Sequence, residues 1–143
     1  MKKIYLGLVI ILGAINCANA ADNIHNLNFK DAVNNAVSSG ELDNSVKFFL
    51  AGDGHTNGHV LQKNVIANKK TNGFLKSADN SCDWVLKSAL IDLQSRAKKL
   101  GGNAVVNIVS YYKSHETSNP TTYECHKGGI VAGVTLKGDI IKY

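Results

Sequence analysis

One continuous apolar stripe constrains the fold more than any other feature of the sequence. Between about residues 82 and 100, apolar side chains recur at the spacing of a single helix face, namely Leu86, Ala89, Leu90, Leu93, Ala97 and Leu100. Ser81 precedes the stripe as a possible N-cap, and Lys98 and Lys99 stand before Gly101, where a helix would end. Because such a stripe has to be covered, we expect one long helix, about 82–100, packed on a small antiparallel sheet.

The strands of that sheet are predicted from the residues that follow the helix. Residues 104–112 are apolar on both faces, which is typical of a central strand. A polar stretch over 113–122 is typical of a surface loop, and strands are predicted at 123–126 and at 130–136. The C-terminal half is therefore expected to be a long helix followed by an antiparallel meander.

A short helix and a hairpin are predicted before the long helix. The helix is indicated by five apolar residues at helical spacing between a possible cap at Asn28 and a stop at Gly40, namely Phe29, Ala32, Val33, Ala36 and Val37. The run 46–50, the glycine-rich loop 52–58 and a strand at about 59–67 form the expected hairpin. Asn72-Gly73 predicts a second tight turn, followed by a brief Phe74-Leu75 strand. The fold class expected is α+β.

The N-terminal residues 1–20 have the organisation of a secretory signal peptide. Lys2 and Lys3 precede an apolar run over 4–15, which is short for a membrane span, and Ala18-Asn19-Ala20 supplies the small residues that signal peptidase requires. We predict cleavage after Ala20, export to the periplasm or the exterior, and a single domain over 21–143 with no membrane span after cleavage. A lipid anchor on Cys17 is the alternative, although Asn16 stands where lipoprotein processing prefers a small residue.

Cys82 and Cys125 are the cysteines left after that cleavage, and an even pair in an oxidising compartment is typical of a disulfide. The bond would close a loop of roughly 44 residues, worth about 4 kcal/mol in the chain-entropy model. At helical spacing Cys82 faces inward with the apolar stripe, toward a strand that carries Cys125. A redox-active or metal-binding pair is the alternative, for which a CxxC spacing would be expected and does not occur.

The charge pattern gives no sign of nucleic-acid binding. The formal net charge of +5 falls to +3 once Lys2 and Lys3 leave with the signal peptide. The basic doublets Lys69-Lys70 and Lys98-Lys99 are not interleaved with aromatic residues, as a stacking surface for bases would require. We therefore expect no nucleic-acid partner.

The half of the chain from about Cys82 onward resembles a known group of proteins. The residues that carry the likeness are the run 89–106, with Lys99-Leu100-Gly101-Gly102-Asn103-Ala104-Val105 near its end, and the closing 133–138. They are similar to the YbjQ-like group, usually labelled heavy-metal-binding, and to the related lipoprotein that senses envelope stress for the Rcs phosphorelay. The resemblance implies a helix packed on a small sheet and, in the stress sensor, a covalent tie from the start of the helix to a later strand.

The chain departs from these relatives in three ways. It lacks a lipobox, it keeps one cysteine pair after cleavage where the sensor has two, and its N-terminal segment matches neither. Similar exported proteins are often labelled excinuclease ATPase subunits. That label implies a GxxxxGK[ST] phosphate loop, which the sequence does not contain.

Candidate site residues are few. His55 and His59, with Asp53, could form a metal site in the glycine-rich loop, although exposed loop histidines are the simpler interpretation. Ser110, Ser114, His115 and Glu116 suggest a hydrolase only loosely, because no GxSxG elbow occurs. Tyr111, Tyr112 and Tyr123 would suit a protein-binding surface if exposed, and sheet packing if buried.

These observations favour an exported, non-enzymatic protein that acts by binding, in envelope-stress sensing or envelope maintenance. An envelope protein is the expected partner, and no cofactor is expected. A metal-binding module using His55, His59 and Asp53 is the first alternative, and a small hydrolase is the second. The sequence does not determine the oligomeric state.

Overall fold

The computed structural model describes residues 22–55 and 57–143. The predicted signal peptide, its cleavage after Ala20 and the alternative anchor at Cys17 lie outside the described residues. Within them the chain forms six strands and two helices, in the order β1 (Asn23–Asn28), α1 (Phe29–Ser38), β2 (Lys47–Leu50), β3 (His59–Asn72), α2 (Ala78–Lys99), β4 (Ala104–Ser110), β5 (Thr122–Lys127) and β6 (Val131–Lys142). A 3₁₀ turn over Tyr112–Ser114 follows β4. The expected mixture of helix and sheet is present, and the sheet is larger than the sequence indicated.

All six strands belong to one curled sheet built around β6. The long β6 strand pairs antiparallel with β3, β4 and β5, while β1 continues the sheet beyond β5 and β2 continues it beyond β4. The β2–β4 pair is parallel, so the expectation of a purely antiparallel sheet is wrong at this edge. The parallel pairing is possible because β3 and α2 form a long connection between the two strands.

The hairpin predicted over 46–67 does not form. Its second strand, β3, extends to Asn72 and pairs with β6 along its length instead of with β2. This register places Val65 and Ala67 in the core, and the twelve-residue β6 can pair with far more of β3 than the four-residue β2 could. The predicted Phe74-Leu75 strand is also wrong, because both residues lie in a turn closed by a hydrogen bond from Lys76 N to Gly73 O (3.1 Å).

Helix α2 covers one face of the sheet with the predicted apolar stripe. Leu86, Leu90 and Leu93 are fully buried, and each such burial contributes about 1.5–3 kcal/mol relative to exposure. The helix begins four residues earlier than predicted, because Ser77, not Ser81, is the N-cap and accepts a hydrogen bond from Asn80 N (3.2 Å). Ser81 is buried in the first turn, where its hydroxyl has no hydrogen-bond partner within the described residues.

The end of α2 follows the predicted signals with one difference. The helix stops at Lys99, and Gly101 adopts the positive φ (77°) that follows the helix. Leu100, predicted to complete the buried stripe, is instead the C-cap residue and is exposed. The stripe therefore ends at Ala97, one turn before the glycine.

Helix α1 begins as predicted. The side chain of Asn28 accepts a hydrogen bond from Asp31 N (3.0 Å) and so caps the helix. Phe29, Ala32 and Ala36 are buried, whereas Val33 and Val37, which the same pattern placed with them, remain half-buried. Five apolar residues spread over more of the helix surface than its neighbours cover, and this leaves an apolar strip open beside β2.

The structure contains the disulfide bond between Cys82 and Cys125. Cys82 lies in the second turn of α2 and Cys125 lies on the helix-facing side of β5, and both are completely buried. The neighbouring Tyr123 projects to the same side and packs edge-on against Phe29, with the ring centroids 6.3 Å apart. The bond therefore ties the beginning of the long helix to β5.

Strand β3 forms one border of the sheet. Among the described strands it pairs with β6 alone, although it is fourteen residues long. Arg96 of α2 donates to the carbonyl oxygen of Ile66 in β3 (3.0 Å), while its guanidinium also forms a two-bond ion pair with Asp92. Lys69 of β3 lies 3.4 Å from the same Asp92 carboxylate. Charged side chains thus join the helix to this border strand.

Neither described helix is both long enough and apolar enough to cross a lipid bilayer.

Candidate functional site

A concave surface lies between α1 and β2. It is a cleft of about 770 Å³, referred to below as the α1–β2 cleft. Val33 and Val37 of α1 and Phe49 of β2 supply half-buried apolar side chains, and Lys30, Asn34 and Lys47 supply polar groups. Mostly apolar concave surfaces with a few polar groups are typical of binding sites.

Strand β2 gives this cleft a backbone edge. Within the described part of the chain β2 pairs with β4 on one side and has no strand on the other. Phe48 and Leu50 are buried beneath the strand and fix its position, while Lys47 donates a hydrogen bond to Asn44 at its start (2.6 Å). An unpaired strand edge offers backbone donors and acceptors to another extended segment.

The glycine-rich loop closes one end of the cleft. The ring of His55 stacks on Phe49, with the centroids 4.1 Å apart and the planes 11° apart. His55 Nδ1 is 3.0 Å from the carbonyl oxygen of Asp53 and 3.8 Å from its carboxylate. On the far side of this stack a smaller cavity of about 240 Å³ is bordered by Tyr143 and Ile141. The ring of His55 therefore packs on Phe49 and lines the end of the cleft.

The structure brings together two of the three residues predicted for a metal site. Asp53 and His55 are neighbours, whereas His59 is the exposed first residue of β3. Across residues 22–55 and 57–143, no three side chains of His, Cys, Asp or Glu are grouped so that they could hold a metal ion. Cys125 and His126 lie on opposite faces of β5, as their adjacency in a strand implies.

The residues considered for a hydrolase are dispersed. Ser110 is buried, and its hydroxyl accepts a hydrogen bond from Glu124 N (2.9 Å). Ser114 and His115 are exposed in the loop after β4, and Glu116 forms an ion pair with Lys137 at 2.5 Å. In the described structure no serine hydroxyl is hydrogen-bonded to a histidine ring.

The three tyrosines do not form an exposed surface. Tyr123 is buried in the core, and Tyr111 is half-buried with Lys137 Nζ 4.3 Å from its ring centroid. Tyr112 stacks on His126 at 3.8 Å over the glycine-lined face of β6, where a Cβ on Gly133 would lie only 3.2 Å from its ring. All three are therefore used in packing.

Tyr112 belongs to a polar cluster that the sequence did not indicate. Its hydroxyl donates to Asp22 (3.0 Å), and His126 beneath it is 3.1 Å from the Glu124 carboxylate. Burial, and then the hydrogen bond to Asp22, raises the pKa of the Tyr112 hydroxyl above its ordinary value. The cluster connects Tyr112, in the loop after β4, to Asp22, which precedes β1, and so stabilises the position of this loop.

The cleft itself was also missed, although part of its signal was present. The sequence pattern places Val33 and Val37 among the apolar positions of α1, and an apolar strip too wide for the helix to bury is the signal that indicates a cleft. The edge position of β2 depends on its parallel pairing with β4, which joins residues far apart in sequence. No local pattern encodes that pairing.

No protein-family model, no curated protein and no solved structure matches the chain significantly. The resemblance to the YbjQ-like group and the Rcs stress sensor stays a prediction.

Proposed function

We propose that the chain is an exported, non-enzymatic envelope protein that acts by binding an extended segment of another protein in the α1–β2 cleft. The observation that carries the proposal is the unpaired edge of β2, which opens into a groove lined by apolar side chains of α1. An extended peptide added to such an edge gains backbone hydrogen bonds, and pockets beside the strand select its side chains.

The cleft supports one kind of ligand better than others. Val33, Val37 and Phe49 offer apolar contact, which suits alternating apolar side chains of a strand. The charged groups that line the cleft are the ammonium groups of Lys30 and Lys47 and the carboxylate of Asp53. The preferred segment is therefore extended and apolar at alternate positions.

Export is part of the proposal and is supported by the sequence of residues 1–20. A disulfide between two completely buried cysteines is consistent with an oxidising compartment. Mass spectrometry of the native protein should find a terminus at Ala21 and no free thiol. An intact Met1 terminus with both Cys82 and Cys125 reduced would contradict it.

The binding step can be tested with a random peptide library displayed on phage, selected on the oxidised protein. We expect enriched peptides that bind with micromolar affinity and lose at least tenfold of it when Val37→Arg fills the cleft. The matched control is Asn35→Arg, an exposed position on α1 that does not line the cleft. Peptides that bind both variants equally, or no enrichment at all, would contradict the proposal.

Calorimetry with Zn²⁺, Cu²⁺ and Ni²⁺ separates this function from the metal-binding alternative. We expect no binding tighter than millimolar, because Asp53 and His55 lack a third ligand group nearby within the described residues. Tight binding that disappears in His55→Ala and His59→Ala would favour the metal-binding module instead.

A further inference from the structure

Four large apolar residues protrude at one end of the molecule, and they are called the apolar tip below. Phe74 and Leu75 lie in the turn between β3 and α2, and Ile130 and Val131 lie where the chain turns from β5 into β6. Leu75 is 90% exposed, Ile130 67% and Phe74 58%. A hydrogen bond from Gly73 N to Ile130 O (2.7 Å) holds the two turns side by side.

The backbone presents these side chains outward. Phe74 and Leu75 occupy the two central positions of the turn closed by Lys76 N and Gly73 O, and Leu75 has a positive φ of 57°. That position of a turn ordinarily favours Gly or Asn, because other side chains crowd the backbone there. Leu75 therefore occupies an unfavourable backbone conformation while its side chain is almost wholly in solvent. Neither packing nor backbone preference accounts for a leucine at this position.

Lysines accompany the apolar tip. Lys76 is exposed in the same turn, and Lys70 is exposed on the last part of β3. The Cε atom of Lys127 lies 3.4 Å from the position that a Cβ on Gly73 would occupy. The carboxylates nearby in sequence or space are Asp79, in the first turn of α2, and Asp22, beside Gly128 and hydrogen-bonded to Tyr112.

We propose that the apolar tip docks on the surface of an anionic lipid bilayer. The apolar tip has four protruding side chains on two adjoining turns, far fewer than the roughly 20–30 residues that each partner contributes to a standard protein interface. Apolar side chains can instead enter the boundary between headgroups and acyl chains, while nearby lysines contact the anionic headgroups. This surface is separate from the α1–β2 cleft and does not depend on it.

Co-sedimentation with vesicles tests the proposal, using protein expressed from the full sequence and purified in the form that the cell makes. We expect binding to vesicles of phosphatidylglycerol and phosphatidylcholine in equal parts. The affinity should fall at least tenfold in the double variant Phe74→Asp with Leu75→Asp. Lys76→Glu should weaken binding to these vesicles several-fold, and Leu75→Trp should strengthen it.

Fluorescence gives a second readout in the double variant Trp84→Phe with Leu75→Trp, because Trp84 is the one tryptophan of the chain and its replacement leaves the new tryptophan at the apolar tip as the sole reporter. The emission of this variant should shift to shorter wavelength with the phosphatidylglycerol vesicles. The matched control is Val60→Asp, an exposed valine near the other end of β3, about 40 Å away along the strand. This variant should bind like the unmodified protein.

Three results would overturn the proposal. One is the absence of vesicle binding by the unmodified protein, and another is equal binding by the double variant and by Val60→Asp. The third is a dimer in sedimentation velocity that the double variant dissociates while vesicle binding is unchanged, since the apolar tip would then contact a second copy.

Discussion

Reducing the Cys82–Cys125 disulfide is expected to lower the free energy of unfolding by about 4 kcal/mol. The two cysteines are 43 residues apart, and the bond between them restricts the unfolded chain by closing that loop. The chain-entropy model assigns a loop of this length about 13 cal/mol/K, which is about 4 kcal/mol at 25 °C. Because most of α2, all of β4 and most of β5 lie inside the loop, its effect acts on the main part of the core.

The same loss can be expressed as a shift in melting temperature. Unfolding entropy is about 2.1 cal/mol/K per residue, so roughly 120 folded residues give about 250 cal/mol/K and a decrease of about 16 °C. Thermal and urea unfolding followed by circular dichroism, with and without a reducing agent, would measure it. The double variant Cys82→Ala with Cys125→Ala is the control and should not respond to the reducing agent.

A loss below about 1 kcal/mol on reduction would refute this reasoning, because the unfolded chain would then be no freer without the bond. The single variants Cys82→Ala and Cys125→Ala give an independent check. Either one removes the bond, so the two effects should be far from additive when combined.

Three further predictions concern single positions. Burial, with the nearby Asp83 and Asp79, raises the pKa of the Tyr123 hydroxyl above its ordinary value of about 10. The contribution of this group to the free energy of unfolding should therefore be fully present below about pH 10 and should decline as the pH rises further. Urea unfolding in alkaline buffers should show a smaller decline in Tyr123→Phe. Gly102→Ala should cost about 1–3 kcal/mol, since the new Cβ would lie 2.7 Å from Ile140 Cγ2, whereas Gly129→Ala, with open space, should be near neutral in the same assay. Leu75→Asn should raise the free energy of unfolding by about 0.5–1 kcal/mol, because asparagine tolerates a positive φ better; an unchanged or lower value would contradict the strain assigned to this turn.

The helices were predictable because their signals are local. Asn28 caps α1 as expected, and the buried stripe of α2 follows from the spacing of its leucines. The predicted start of α2 is four residues too late, since both Ser77 and Ser81 can cap a helix and only tertiary contacts bury Ser81.

The sheet was less predictable because its pairings join distant residues. β1 is rich in asparagine, which strands disfavour, and it exists through its pairing with β5. The hairpin expected between β2 and β3 gave way to a parallel pair with β4 and a long pair with β6. The α1–β2 cleft is a product of those pairings, so it could not be derived from the local pattern.

The border strand β3 bears on whether the protein polymerises at high concentration. A fourteen-residue strand with no second partner among the described strands is a template on which further chains can stack into fibrils. Arg96 already uses the carbonyl of Ile66, and the ion pair of Lys69 with Asp92 holds a charge beside it. An incoming chain would have to displace the hydrogen bond of Arg96 and the ion pair of Lys69 with Asp92. The side chains of Arg96 and Asp92, both on α2, therefore act as a barrier to polymerisation.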